Sequence, residues 1–257
     1  MLKLKYFTYV IILTASFTHA QIMHKNLENK NILVVYGGWE GHKPKLFADK
    51  IVSWLREKKA NVYVSDTTSI YTNTKLMKKL DLIIQHITMG EISENQIENL
   101  TKTIKDGVGL AGCHGGLGDS FRNDEDFQYM VGGQFVQHPG DNINYTVNIN
   151  TKKDPITKDI NDFSLTSEQY YMHVDPALEV LATTKFSGKH DPWIQGVVVP
   201  VVWKKYYGKG RVFYNSIGHS IENFEIPEVW EMTTRRIIWA CKYETSLLGL
   251  SFCPPFL

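Results

Sequence analysis

Gly107-Val108-Gly109-Leu110-Ala111-Gly112-Cys113-His114-Gly115-Gly116 is a short apolar run that stops in a turn crowded with glycine. Glycine tolerates positive φ and close backbone approach, so the run reads as a strand ending in a sharp turn. In an open parallel sheet that carboxyl edge, near the point where strand order reverses, is where ligands bind. Two side chains with chemistry stand there, Cys113 and His114, and Gly115, Gly116 and Gly118 keep the space before them free of β-carbons. Cys113 alone is compatible with simple packing, because a free cysteine is often a small buried hydrophobe. His114 is harder to explain that way, since an imidazole between glycines gains little from packing.

Outward from this turn the pattern is regular. Ile32 to Tyr36 is a continuous apolar run bounded by Gly37-Gly38, as expected of a strand buried on both faces. Leu46, Ile51, Val52, Trp54 and Leu55 then recur at helical spacing. Val62 to Val64 and Leu82 to Ile84 read as further strands, and Ser93 to Lys105 as a helix capped by Ser93. Beyond the glycine turn, Ile143 to Ile149 alternates in strand fashion, and Leu178 to Thr183 and Val197 to Trp203 are β-rich. Arg211 to Asn215 follows a Gly208-Lys209-Gly210 turn, and Val229 to Cys241 reads as a helix begun near Pro227. Together these predict one α/β domain over residues 31–243. It should be three-layered and flavodoxin-like or amidotransferase-like, with a mostly parallel central sheet, additional β strands in the second half, and a tail at 244–257.

Residues 1–20 carry Lys3 and Lys5, an apolar run from Tyr6 to Phe17, and Thr18-His19-Ala20 before Gln21. That is the layout of a secretory signal peptide, with an apolar run too short to span a bilayer comfortably. A retained amino-terminal anchor is the alternative. On the cleavage reading, residues 21–30 are a mature N-terminal extension and the protein is exported, periplasmic or secreted, with no membrane contact afterwards. The sequence holds 28 Lys and Arg against 27 Asp and Glu, and loss of Lys3 and Lys5 leaves 26 against 27. Such a balance gives no reason to expect nucleic acid or an anionic membrane as partner, and it leaves a homo-oligomer open. Of Cys113, Cys241 and Cys253, an exported chain can bridge at most one pair; chain position suggests Cys241 with Cys253, which leaves Cys113 unpaired.

The remaining candidates lie at strand ends or beside glycine. His42 closes Gly37-Gly38-Trp39-Glu40-Gly41-His42, His138 precedes Pro139, Glu168 and Tyr170 lie in Ser167-Glu168-Gln169-Tyr170, and His219 closes Asn215-Ser216-Ile217-Gly218-His219. Singly, each reads as a hydrogen-bonded loop residue. As a set they point to loops that carry function on a rigid scaffold. His114 or His42 with Glu168 suits acid/base work on a hydroxyl or carbonyl. Alternatively, His42, His114, His138 and His219 with one carboxylate suit a divalent metal, Zn or Mn, with an open position. No short-spaced motif such as His-Glu-x-x-His is present, so the metal reading depends on the fold bringing the rings together. Trp39, Tyr170 and Trp203 are either aromatic faces for a ligand or core.

In this order the chain resembles the ThuA-like family, named for trehalose utilisation, whose fold is similar to that of class I glutamine amidotransferases. The resemblance runs from about Asn31 to Tyr243. It rests on the loop ending in His42, Gly112-Cys113-His114-Gly115, Phe135 with His138-Pro139, Glu168 with Tyr170, Pro200 and Trp203, Gly208 to Tyr214, Gly218-His219 and a closing helix with Trp239. It implies carbohydrate metabolism, with a small saccharide or keto-sugar as ligand, and a hydrolase or lyase acting on a disaccharide or on 3-keto-glycosides made by partner dehydrogenases. In amidotransferases an elbow cysteine is the nucleophile, activated by a histidine that a carboxylate orients. Cys113 stands in that place, but the later His-x-Glu pairing is missing, because Ser220-Ile221 separate His219 from Glu222. In the ThuA-like pattern the fixed elbow residue is the histidine. The resemblance therefore implies that His114, Glu168 and His42 are catalytic, that Trp39, His138, Tyr170, Trp203 and His219 bind substrate, and that Cys113 is incidental. A saccharide-binding protein that kept the fold without the reaction is the alternative.

Overall fold

The computed structural model describes residues 26–243. The expected signal peptide at 1–20, the first half of the extension at 21–30 and the tail at 244–257 lie outside them, and with Cys253 so does the expected Cys241–Cys253 pairing. Among the described residues no helix is long and apolar enough to cross a membrane.

The first half alternates strand and helix: β1 (Asn31–Gly38), α1 (Pro44–Glu57), β2 (Asn61–Ser65), α2 (Thr74–Met77), β3 (Leu82–Thr88), α3 (Glu94–Lys105), β4 (Gly109–Cys113), α4 (Gly115–Gly118) and α5 (Glu125–Val131). Strands then dominate, with β5 (Gly133–Gln137), β6 (Asn142–Ile149), β7 (Phe163–Glu168), β8 (Tyr171–Val174), β9 (Glu179–Lys185), β10 (Val198–Tyr207) and β11 (Gly210–Asn215) before α6 (Pro227–Ala240). Local sequence explains the elements. Every residue of β3 is buried, as the apolar run Leu82 to Ile84 requires of a strand covered on both faces, and burial extends to Gln85, His86 and Thr88 beyond it. Pro44 starts α1 where its missing N–H costs nothing, and at α3 the Ser93 backbone N–H donates to Gln96 Oε1 at 3.0 Å, half of a capping box.

Among the described residues nine strands form one sheet in the order β2-β1-β3-β4-β11-β10-β9-β6-β7, and β5 pairs with β8 in a separate ribbon. The pairs from β2 across to β11 are parallel, and those from β11 to β7 are antiparallel. One face packs Phe47, Ile51 and Leu55 of α1 and Val229 and Ile237 of α6 over Ile32 and Val34. The other packs Leu100 of α3 and Phe127 of α5 over Leu33, Val35 and Ile83. This is the expected three-layer α/β fold with extra antiparallel strands.

Two features of the topology place the site. β1 has β2 on one side and β3 on the other, so strand order reverses there and a crevice opens at the carboxyl ends of β1 and β3. In addition, β6 meets the main sheet only where Asn148 and Ile149 oppose Thr183 and Ala182. The other end of the β6–β7 ribbon, where Asn142 opposes Glu168, is free to lean over the parallel strands' carboxyl edge.

A histidine and carboxylate cluster at the carboxyl edge of the sheet

His114 sits on the turn after β4 with φ 50° and ψ −144°, a conformation that costs a non-glycine residue about 1–3 kcal/mol and persists only where the surroundings enforce it. β11 enforces it. The His114 amide donates to Asn215 O at 2.7 Å, and its carbonyl accepts from Tyr214 Oη at 3.1 Å. The glycines that follow are needed for clearance: a β-carbon on Gly115 would lie 2.8 Å from His42 Cε1, and one on Gly116 would overlap the His86 ring. The elbow conformation thus belongs to His114. Cys113 lies wholly buried beneath it, its thiol pushed up by burial and 3.8 Å from His86 Nδ1. A raised, buried thiol is a poor nucleophile, which argues against Cys113 in the role that the elbow cysteine plays in amidotransferases.

Around His114 the chain gathers residues from five strand ends. Its Nε2 lies 3.0 Å from Glu168 Oε2 and 2.7 Å from Tyr170 Oη, whose ring stacks on the imidazole at 4.1 Å. His219 Nδ1 is 3.2 Å from the same Glu168 oxygen. His42 follows β1 in a one-turn 3-10 helix, with Nδ1 2.9 Å from Thr88 Oγ1 and its ring 4.7 Å from that of His114. One donor atom from each of His42, His114, His219 and Glu168 falls in a group no wider than 4.8 Å.

The electrostatics of the cluster are compatible with a cation. Burial, reinforced by the neighbouring imidazoles, pushes His42 down to about 3, and burial also lowers His114 against the pull of Glu168. Burial alone would raise Glu168, but its contacts with His114 and His219 outweigh that and hold the carboxyl well below the usual carboxylate range. Two rings, His42 and His114, are thus held toward the neutral form beside an ionised carboxylate. His114 Nδ1 is 2.8 Å from Ser216 O, and a carbonyl only accepts, so Nδ1 carries the proton and Nε2 of a neutral ring presents a lone pair. That lone pair faces a carboxylate oxygen, and the buried His219 Nδ1 beside it has no aligned hydrogen-bond partner. Tyr170 Oη also reaches His114 Nε2, at 2.7 Å; with that hydroxyl turned aside, His114, Glu168 and His219 together with His42 could hold a divalent cation, the first of them oriented through its other nitrogen by a backbone carbonyl.

Proton linkage follows with a definite sign. An unfolded histidine titrates near 6.5, whereas burial holds His86 well below that and His42 at about 3. As pH falls below about 6.5 the unfolded chain takes up protons that the folded chain refuses, so stability present above that pH is lost toward pH 3. In chelator-treated protein the melting temperature is expected to fall by about 5 °C or more from pH 7 to pH 5.5. A flat melting profile across that interval, read by circular dichroism, would show that the rings are not held neutral.

His42, His114, Glu168 and His219 therefore come together, with Tyr170 in direct contact. His138 stands beside this set, its Nε2 3.7 Å from Glu168 Oε1 and its Nδ1 3.2 Å from Asp141 Oδ1. Trp39, about half exposed, packs edge-on to His42 at the rim. Trp203 is a correction: it is fully buried, its Nε1 donates to Val131 O at 3.0 Å, and it packs on Tyr214, so it is core and offers no face to a ligand. Sequence reading passed over Thr88, Ser216 and Asp141. Thr88 ends a strand and Asp141 closes the His138-Pro139-Gly140-Asp141 turn, both legible cues; Ser216 acts through its carbonyl and leaves no side-chain signal.

The model of the ThuA family, described as trehalose utilisation, matches residues 31–240. No curated protein matches the sequence. Among solved structures the fold is similar to a ThuA-like protein from Bacteroides uniformis ATCC 8492, at TM-score 0.67 and 18% identity over 81% of this chain and 89% of that one. It is similar also to one from Parabacteroides merdae ATCC 43184, at TM-score 0.66 and 15% identity over 83% and 90%. At such identities the structures speak for the fold alone. The family match spans β1 to α6, and with them every strand end that supplies a ring or carboxylate to the cluster; the chain belongs to the ThuA family.

Proposed function

We propose that this protein is an exported enzyme that breaks a glycosidic bond in a disaccharide or its 3-keto derivative, beginning with proton removal next to a carbonyl. Family membership supports a carbohydrate-related role, and the layout of residues 1–20 supports export. The observation that carries the reaction is the convergence of three imidazoles on one carboxylate, within 4.8 Å, at the edge of the sheet where ligands bind.

Removal of the C2 proton of a 3-keto-glycoside leaves an enolate. Its electrons restore the C3 carbonyl and form the C1–C2 double bond as the C1–O bond breaks, and the glycosidic oxygen leaves with the proton that the base took from C2. His138 suits the proton acceptor: its ring is partly exposed beside the cluster, with the Asp141 carboxylate 3.2 Å from Nδ1. Glu168, held ionised, is a weak base and serves as the fixed charge that gathers the rings. His114 is engaged at both nitrogens and positions Glu168 and Tyr170. Held by His42, His114, His219 and Glu168, a divalent cation such as Zn²⁺ or Mn²⁺ would supply positive charge for the oxygen on which negative charge develops. Trp39 offers an apolar face to the sugar ring.

Incubation with 3-keto-trehalose is the test. Release of glucose is expected, with kcat lowered about 10³-fold in His138→Ala. Saccharide binding without product, in both metal-loaded and chelated protein, would replace the enzyme by a non-catalytic saccharide-binding protein.

A further inference from the structure

The outward side of β6 carries Asn142, Asn144, Thr146 and Asn148 at alternate positions, while Tyr145 and Val147 face the core. β7 runs beside it with Glu168 opposite Asn142, Thr166 opposite Asn144 and Ser164 opposite Thr146. Directly opposed residues share a face, and the Thr146 and Ser164 hydroxyls lie 3.0 Å apart. A ladder of amides and hydroxyls therefore begins at the cluster's own carboxylate and leads away from it.

The two ends of the segment 186–196, Phe186-Ser187 and Gln195-Gly196, border this ladder and leave a groove of about 490 Å³, within the size range of small-molecule sites. Asn144, Thr146, Asn148, Gln169, Ser187 and Gln195 supply its polar walls; Lys185 is the one cation there, and the described lining has no carboxylate. A smaller recess shares Gln169 and Ser187 with the groove and reaches Pro139, the neighbour of His138. Gln169 lies between Glu168 and Tyr170 in the chain, and its Nε2 donates to Thr184 Oγ1 at 2.7 Å, which fixes its amide in the wall. The segment 186–196 also holds Trp193, which is 79% exposed, an indole left in water with no part in the core.

The chemistry of the walls selects the ligand. Side-chain amides and hydroxyls both donate and accept, matching a ring of hydroxyl groups. The lack of a carboxylate disfavours a cationic ligand, and a single lysine is a poor match for a polyanion. We propose that this groove is a subsite for a neutral hexopyranosyl unit, holding the sugar remote from the bond that the histidine and carboxylate cluster breaks, with Trp193 closing over the ring's apolar face. Its orientation relative to the scissile bond rests on the reaction proposed above; its ligand does not.

Binding of trehalose, maltose and glucose, none of which is a keto-sugar, can be measured by calorimetry without turnover. In the unmodified protein at least one disaccharide is expected to bind about tenfold more tightly than glucose. Asn148→Ala combined with Gln195→Ala should erase that preference, leave the circular dichroism spectrum unchanged, and be matched in direction by Trp193→Ala. Disaccharides that bind no tighter than glucose, or variants without effect, overturn the subsite even if 3-keto-glycosides are cleaved. The preference without any cleavage supports the subsite and overturns the reaction instead. Glucose 6-phosphate or glucuronate binding far more tightly than glucose, with the gain lost in Lys185→Ala, would overturn the assignment to a neutral sugar.

Discussion

Changing Glu168 to glutamine is expected to weaken the protein's affinity for Zn²⁺ or Mn²⁺ by about 100-fold, measured by competition with a chromophoric chelator. Glu168 is the single carboxylate among the converging donors, and both His114 Nε2 and His219 Nδ1 approach its Oε2, at 3.0 and 3.2 Å. Glutamine keeps the shape but removes the charge that holds a cation among neutral rings. Its NH₂ group would place a donor against the imidazole lone pairs and satisfy internally what a cation satisfies otherwise. The variant should therefore fold normally, and its melting temperature should become insensitive to added metal, since only a ligand that binds the native state raises stability. Equal metal affinity in the two proteins, or no affinity in the unmodified one, would leave a purely acid/base cluster.

The largest effect on stability is expected at Trp203. Truncation to alanine removes a fully buried indole, its hydrogen bond to Val131 O and its contact with Tyr214. Losses of this kind cost about 3–5 kcal/mol, equivalent to a fall in melting temperature of roughly 10 °C for a domain of this size. Saccharide affinity of the molecules that remain folded should not change. A variant that melts normally but loses saccharide binding would return Trp203 to the ligand site.

Much of the scaffold was open to reading because its signal is local. An apolar run such as Ile32 to Tyr36 or Leu82 to Ile84 is buried whatever its neighbours are, and the glycines around His114 announce a turn without reference to the rest of the chain. β5, β7 and β8 escaped because each is short and mixes polar residues among its apolar ones. In β7, for example, Phe163 and Leu165 alternate with the exposed Ser164 and Thr166, but the strand ends in the buried polar pair Ser167 and Glu168, which breaks the alternation. Trp203 shows the same limit from the other side, since an aromatic residue suits a core and a binding face equally until its surroundings are known.

From composition and periodicity alone come the α/β class, the strand-ending turn at His114 and a short roll of imidazoles beside glycine; these depend on backbone preferences and hydrophobic patterning that act over a few residues. Strand order supplies the rest. Insertion of β11 beside β4 brings Ser216 and His219 to the elbow, the reversal at β1 brings His42, and the lightly attached β6–β7 ribbon carries Glu168 over the edge. Those are long-range pairings, and only when they close do the neutral rings, the lone carboxylate and the buried surroundings act on one another.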